Sequence, residues 1–281
     1  MLNTEILDRI RHADMVNLGS GPSAYAFDYG TAGVNGVNLA MTPSAFALES
    51  AFLNEYRDVF SEAGKKADGC AVILAVCPFS FGENRSNGNP GRYARYYNVL
   101  SKVSMDALPA PLPHWDSSVS DSVSPNAPLF PYEAGVHPDE VPSPAVMEER
   151  VESMCRCWKQ EFSLVDFLDA GQAERHKAAF RREREELEKL LSLCRALDLR
   201  PYLLLPPLHP LLRARISDAF FGAFVREQVK GLPAPLLDYT DKPLITGKMF
   251  FGPVFLNRCG AAFFTKTIYE AVKQDGNSEK K

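Results

Sequence analysis

Apolar residues fall along this chain in two rhythms, short unbroken runs and longer stretches where they recur every three or four positions. Ala13 to Leu18 is a short apolar run closed by Gly19-Ser20-Gly21-Pro22, which predicts a strand and a tight turn. Gly36 to Ala40 predicts a second short strand. Thr42-Pro43 then opens a helix over Ser44 to Phe60, with Phe46, Leu48, Phe52, Leu53, Tyr56 and Phe60 on its apolar side. Cys70 to Cys77 is continuously apolar, as a central parallel strand covered on both faces should be.

The rhythm breaks over residues 80–145, where ten of the 21 prolines fall beside a serine-rich stretch from Ser117 to Ser124. This reads as a long Pro/Ser-rich insertion, part lid and part mobile, with one helical piece around Tyr93 to Leu100. Periodicity returns with helices over Pro144 to Phe167 and Gln172 to Leu197. The second carries a stripe of Phe180, Leu187, Leu190, Leu191, Cys194 and Leu197. Pro201 to Leu205 predicts a fourth strand, Leu211 to Val229 a helix, Leu236 to Asp238 a fifth strand, and Ala261 to Lys273 a closing helix. No internal repeat is present. Strands alternating with helices predict an α/β domain, a five-stranded parallel sheet with helices on both faces, spanning residues 1–281 as one unit.

Composition narrows the function classes. The chain is 46% hydrophobic and 23% charged, with a formal net charge of −4, so no global basic field exists to attract nucleic acid. Arg181, Arg182 and Arg184 alternate with Glu183, Glu185 and Glu186, the pattern of a solvated helix face. The N-terminus lacks the apolar core of a signal peptide, and no stretch is long enough to span a bilayer. The six cysteines sit mostly in apolar runs and read as buried reduced thiols of a cytoplasmic protein. Cys155-Arg156-Cys157 lacks the second Cys or His pair that a metal site requires. No phosphate loop is present, and Gly19-Ser20-Gly21 is too short for a dinucleotide fingerprint, so no cofactor is implied.

Ligands of open parallel sheets bind at the carboxyl ends of the strands. That rule gathers five segments onto one edge: Gly19 to Ser23, Asn38 to Ala40, Pro78 to Phe81, Pro207 to Pro210, and the loop Gly252 to Gly260. Several of them carry a family likeness. Leu18-Gly19-Ser20-Gly21-Pro22-Ser23, with its helical turn to Asp28, resembles the first block of SGNH (GDSL-like) hydrolases. The likeness is to a divergent branch that includes D-alanyl-lipoteichoic acid biosynthesis and sugar acyl-transfer proteins. Asn38-Leu39-Ala40, the Pro78-Phe79-Ser80-Phe81 strand end, and Leu256-Asn257-x-x-Gly260 are similar to later blocks. The resemblance covers most of the chain outside residues 85–145.

The resemblance implies a flavodoxin-like three-layer α/β/α sandwich and a Ser/Asp/His triad. It would place the nucleophilic Ser at Gly21, the Asp at Gly252 and the His at Phe255. A Ser hydroxyl needs an adjacent base and an orienting carboxylate, and all three positions lack the required side chain. The family's Gly-x-Asn-Asp block, with its oxyanion Asn, also has no counterpart after the third strand. The expectation is a degenerate site that binds a carbohydrate or acylated ligand, or a partner, through Gly19, Gly21, Asn38, Phe79, Gly252, Phe255 and Asn257.

The alternative is an esterase or acyltransferase acting on glycan-linked acyl groups. It would use Ser20 with His209 as a displaced base and Asp238 to orient it. Ser20 and Ser23 also read as turn and helix-capping residues, and His209, between two prolines, as a packed or solvent-facing side chain. His114 and His137 carry no role in either reading, and His12 and His176, on charged helices, are expected to be exposed. Phe255 with Phe79, Phe81, Phe250 and Phe251 would form an apolar cluster that fills the old site or binds an acyl or aromatic group.

Overall fold

A computed structural model describes residues 4–41, 44–77, 80–82 and 137–278. Five strands form one parallel sheet: β1 (Met15–Leu18), β2 (Gly36–Asn38), β3 (Ala71–Ala75), β4 (Arg200–Leu205) and β5 (Leu236–Asp238). Their order is β2-β1-β3-β4-β5, the doubly wound 2-1-3-4-5 arrangement. Every residue of β1 and β2 is buried, as are Ala71–Leu74 of β3 and Pro201–Leu205 of β4. Successive strand residues face opposite sides, so both faces of the sheet are covered. That coverage fits a three-layer α/β/α arrangement.

Register places Asn17 beside Asn38 on one side and beside Ile73 on the other. Beyond the strands proper, Val76 N–H donates to Leu204 O (2.8 Å) and Tyr239 N–H to Leu205 O (3.0 Å), carrying pairing onto the carboxyl edge. The sequence predicts strands extending to Ala40 and Cys77, and the sheet stops earlier at both. Past the end of β2 single bonds continue the pairing, Leu39 N–H donating to Asn17 O (3.0 Å) and Met41 N–H to Gly19 O (2.8 Å).

The helices depart from expectation in instructive ways. The single helix expected over 44–60 is two, Phe46–Glu55 and Arg57–Gly64, broken at Tyr56. The helix expected over 211–229 is a series: Pro210–Arg213, Asp218–Phe221, a π turn Gly222–Arg226, and Glu227–Val229. Ser217 breaks it by starting a new helix, its Oγ accepting from Phe220 N–H at 3.0 Å. Pro144–Glu161 ends short of Phe167, and Lys177–Ala196 is preceded by a 3₁₀ turn, Ala170–His176. The closing helix is longer than expected, Arg258–Ser278. A feature the sequence did not predict is an antiparallel hairpin, β6 (Phe250–Gly252) with β7 (Phe255–Leu256).

Two charged-helix expectations are corrected. His176 is buried, 5% exposed, and packs against Phe180 and Phe224. Glu183 is also buried, turned inward from the charged run, and burial raises its carboxyl pKa against the pull of Arg182. Cys70, Cys155 and Cys194 are buried, Cys77 is half-buried, and Cys157 and Cys259 are exposed; all are free thiols. Among the described residues no helix is long and apolar enough to cross a membrane. The expected helical piece at Tyr93 to Leu100, His114 and Phe79 lie outside the described residues.

Candidate functional site at the carboxyl edge of the sheet

β1 has β2 on one side and β3 on the other, so the topological switch point lies between the carboxyl ends of β1 and β3. Gly19 shapes that point. Its φ is +122°, and a Cβ there would lie 2.9 Å from Ser23 Cβ and 3.1 Å from Ala75 Cβ. The turn therefore runs directly against β3, a placement that requires glycine. Gly21 starts the short helix Gly21–Ala24, with Pro22 behind it and Ser20 at the N-cap. Ser20 makes no capping hydrogen bond and is half-buried.

Asn38 and Ser23 belong to a buried polar network beneath this turn. Asn17 Nδ2 donates to Asn38 Oδ1 at 2.9 Å and to Ser23 Oγ at 3.0 Å. Ser23 Oγ donates to Leu18 O (2.7 Å), and Asn38 Nδ2 donates to Ala24 O (2.8 Å) and Phe27 O (3.1 Å). Both side chains are thus used in holding the turn after β1 to β2. Asn17 Oδ1 is left buried without a partner.

The remaining edge is built by the β4 and β5 loops and the hairpin. His209 is 8% exposed. Its Nδ1 accepts from Leu211 N–H at 3.2 Å, which caps the helix Pro210–Arg213. An acceptor at Nδ1 places the ring proton on Nε2, and Nε2 points at Gly247, where an added Cβ would lie 3.0 Å away. Burial lowers the His209 pKa, against a smaller upward pull from Glu148, so the ring is neutral at pH 7. The ring lies edge-on to Phe250 at 5.4 Å, and His209 N–H donates to Pro253 O (2.9 Å), tying the hairpin to this edge. Among the described residues no hydrogen bond joins Ser20 to His209.

Asp238 is committed elsewhere too. Its Oδ1 accepts from Thr240 Oγ1 (2.6 Å) and its Oδ2 from Arg226 (3.1 Å). Burial acts to raise its carboxyl pKa, but the Thr240 and Arg226 bonds outweigh it and hold the group below the usual range.

Asn257 anchors the closing motif. Its Oδ1 accepts from Gly260 N–H at 2.9 Å, the N-cap bond of the last helix, and its Nδ2 donates to Lys248 O at 2.9 Å. A Cβ on Gly260 would lie 2.3 Å from Met249 O, so this helix start needs glycine for close approach. The Leu-Asn-x-x-Gly frame is therefore a docking device for the helix. His137, given no role from sequence, is buried there with Nε2 3.0 Å from Phe27 O. Arg258 Nη2 donates to His137 O at 3.2 Å. These contacts lock residues 137–140 onto the motif.

The five-phenylalanine cluster expected around Phe255 divides. Phe81 packs on Phe46, and Phe250 lies under His209. Phe251 and Phe255 stack at 5.7 Å, and Tyr25, a residue the sequence reading left out, joins them at 5.2 and 4.9 Å. All three rings are half-buried. Only their convergence in space reveals Tyr25, since 226 positions separate it from Phe251.

Two cavities open near this edge. One, about 10 Å³ and lined by Pro22, Val76, Cys77, Trp158, Leu208 and Thr240 among others, has room for about one water molecule. The other is an open groove of about 440 Å³ at the ends of β4 and β5. Among the described residues no His, Cys, Asp or Glu side chains gather as a metal-ligand set. No protein-family model matches the chain, and no curated protein is significantly similar to it.

Proposed function

We propose that this chain is an SGNH-hydrolase-like protein whose triad positions no longer support hydrolysis, and that it binds a carbohydrate or acylated ligand at the carboxyl edge of its sheet. The observation that carries this reading is the half-buried trio Tyr25, Phe251 and Phe255, in which Phe255 takes the position the resemblance gives to the catalytic His and Phe251 adjoins Gly252, the Asp position. Clustered aromatic faces suit the C–H face of a sugar ring or an acyl chain. The 2-1-3-4-5 parallel sheet is compatible with the SGNH type.

The alternative, an esterase using Ser20 and His209, draws less support from the geometry. His209 spends Nδ1 on Leu211 N–H and turns Nε2 toward Gly247, and Asp238 is bonded to Thr240 and Arg226. The binding reading is tested by saturation-transfer NMR with neutral disaccharides and short-chain acyl glycosides. Transfer from aromatic protons, lost in Tyr25→Ala and Phe251→Ala, is the expected result. Transfer unaffected by either substitution contradicts it.

A further inference from the structure

The groove at the ends of β4 and β5 is separate from the aromatic trio and has features of its own. Its volume of about 440 Å³ falls among small-molecule sites, roughly 300–1,000 Å³. One rim is fixed by Arg213, whose side chain is only 15% exposed. Arg213 Nη2 donates to Asp241 Oδ2 at 3.0 Å and also to Asp218, while Nη1 donates to Ile216 O at 2.5 Å. Nε stands 2.8 Å from Asp241 Oδ1 but is poorly aligned for a hydrogen bond, so it remains buried without a true acceptor. Asp241 is thereby held at the groove wall with oxygen lone pairs to spare.

Two neighbouring groups are uncommitted. Lys242, exposed, has no carboxylate within ion-pair distance among the described residues, and the Tyr239 hydroxyl has no hydrogen-bond partner among them. Pro207, Pro210 and Pro243 supply flat apolar walls. Arg213, Lys242 and Asp241 line the groove, and Asp218, outside the lining, also pairs with Arg213, so the local charges sum to a formal zero. An anion gains no net attraction there, and an apolar ligand would strand the ammonium, the carboxylate and the phenol. A neutral ring bearing several hydroxyls satisfies all of them at once, accepting from Lys242 and donating to Asp241.

We propose that this groove is a binding subsite for a neutral glycosyl unit, with Asp241, Lys242 and Tyr239 as its recognition residues. The inference rests on the carbohydrate reading above and gives it a second contact area. Leu208 and Thr240 line both this groove and the small apolar cavity, so the two share a wall.

The test is a titration of the ¹⁵N-labelled full chain with maltose, cellobiose and chitobiose, with inorganic phosphate as the anionic comparison. The expected result is amide shifts at Thr240 to Ile245 with at least one disaccharide. Lys242→Ala should weaken that binding roughly two- to tenfold, the loss of one hydrogen bond. Lys242 is exposed and unpaired, so this variant folds; Asp241→Asn keeps the side-chain shape and should weaken binding similarly. Disaccharide shifts confined to the Tyr25, Phe251 and Phe255 surroundings would overturn the groove proposal while leaving the carbohydrate reading standing. Shifts nowhere would overturn both. Groove shifts produced by phosphate and not by the disaccharides would overturn the neutral-ligand assignment.

Discussion

Phe255 occupies the space that a side chain on Gly252 would need: a Cβ built at Gly252 lies 2.9 Å from Phe255 Cδ2 and 3.5 Å from Phe255 Cβ. The two residues pair across the β6–β7 hairpin. The Asp and His positions implied by the family resemblance are therefore coupled, and an aspartate cannot return at 252 while the phenylalanine ring stays where it is. This predicts non-additivity. Gly252→Asp alone should destabilise the fold by about 1–3 kcal/mol through overpacking. Gly252→Asp with Phe255→Ala, which removes the clashing ring, should lose less than the sum of the two single variants, and urea melts of the singles and the double measure it. Strictly additive losses would show that the two positions are independent.

Glu49 provides a pH signature of the fold. It is 2% exposed, Ser44 Oγ donates to its Oε1 at 2.6 Å, and its Oε2 has no partner. Burial pushes its carboxyl pKa from 4.5 up to about 7, with the Ser44 bond pulling weakly the other way. The folded chain therefore keeps this proton where the unfolded chain releases it. Below pH 4.5 both states are protonated and the group imposes no penalty. As pH rises from 4.5 to about 7 the unfolded state gains by ionising, so stability falls. The full cost is about 3 kcal/mol. Glu49→Gln should flatten this part of the stability–pH curve and make the variant the more stable form at pH 8. An unchanged slope would remove Glu49 as its source.

Asn257 tests the structural reading of the closing motif. Asn257→Ala removes the helix cap to Gly260 N–H and takes away the side-chain donor to the Lys248 carbonyl. The expected loss is about 1–3 kcal/mol of unfolding free energy, with disaccharide affinity per folded molecule unchanged. A binding loss without a stability loss would make Asn257 a ligand contact instead.

The Asn17–Asn38 bond carries a similar expectation for the turn after β1. Asn38→Ala leaves Ala24 O without its side-chain donor, leaves Phe27 O with His137 alone, and frees Asn17 Nδ2 from its 2.9 Å contact. Thermal melting should show a loss of about 2–4 kcal/mol, since several buried groups lose partners together. Near-neutral behaviour would mean that water fills the gap.

The sheet was legible in the sequence because its strands are buried on both faces, so Ala71–Ala75 and Pro201–Leu205 appear as unbroken apolar runs. The gathering of loops at one edge followed from parallel order alone. Helix breaks were less legible. Tyr56 carries no breaker chemistry, whereas Ser217-Asp218 was a readable N-cap signal that the apolar periodicity around it obscured. His176 and Glu183 look exposed because charged neighbours surround them in sequence, while the tertiary packing of Phe180 and Phe224 turns His176 inward. At the site, Gly252 and Phe255 stood out by their departure from the pattern of blocks in the family the chain resembles. Tyr25 and the Arg213–Asp241 rim depend on contacts between distant segments, which no local pattern encodes.

Hydrolysis of a short-chain ester by the wild type, Ser20→Ala and His209→Ala tests the central claim most directly. A turnover indistinguishable among the three, at the level of the uncatalysed reaction, is the predicted result. A rate that depends on Ser20 and is also lost in His209→Ala would contradict the account and restore the chain to catalysis.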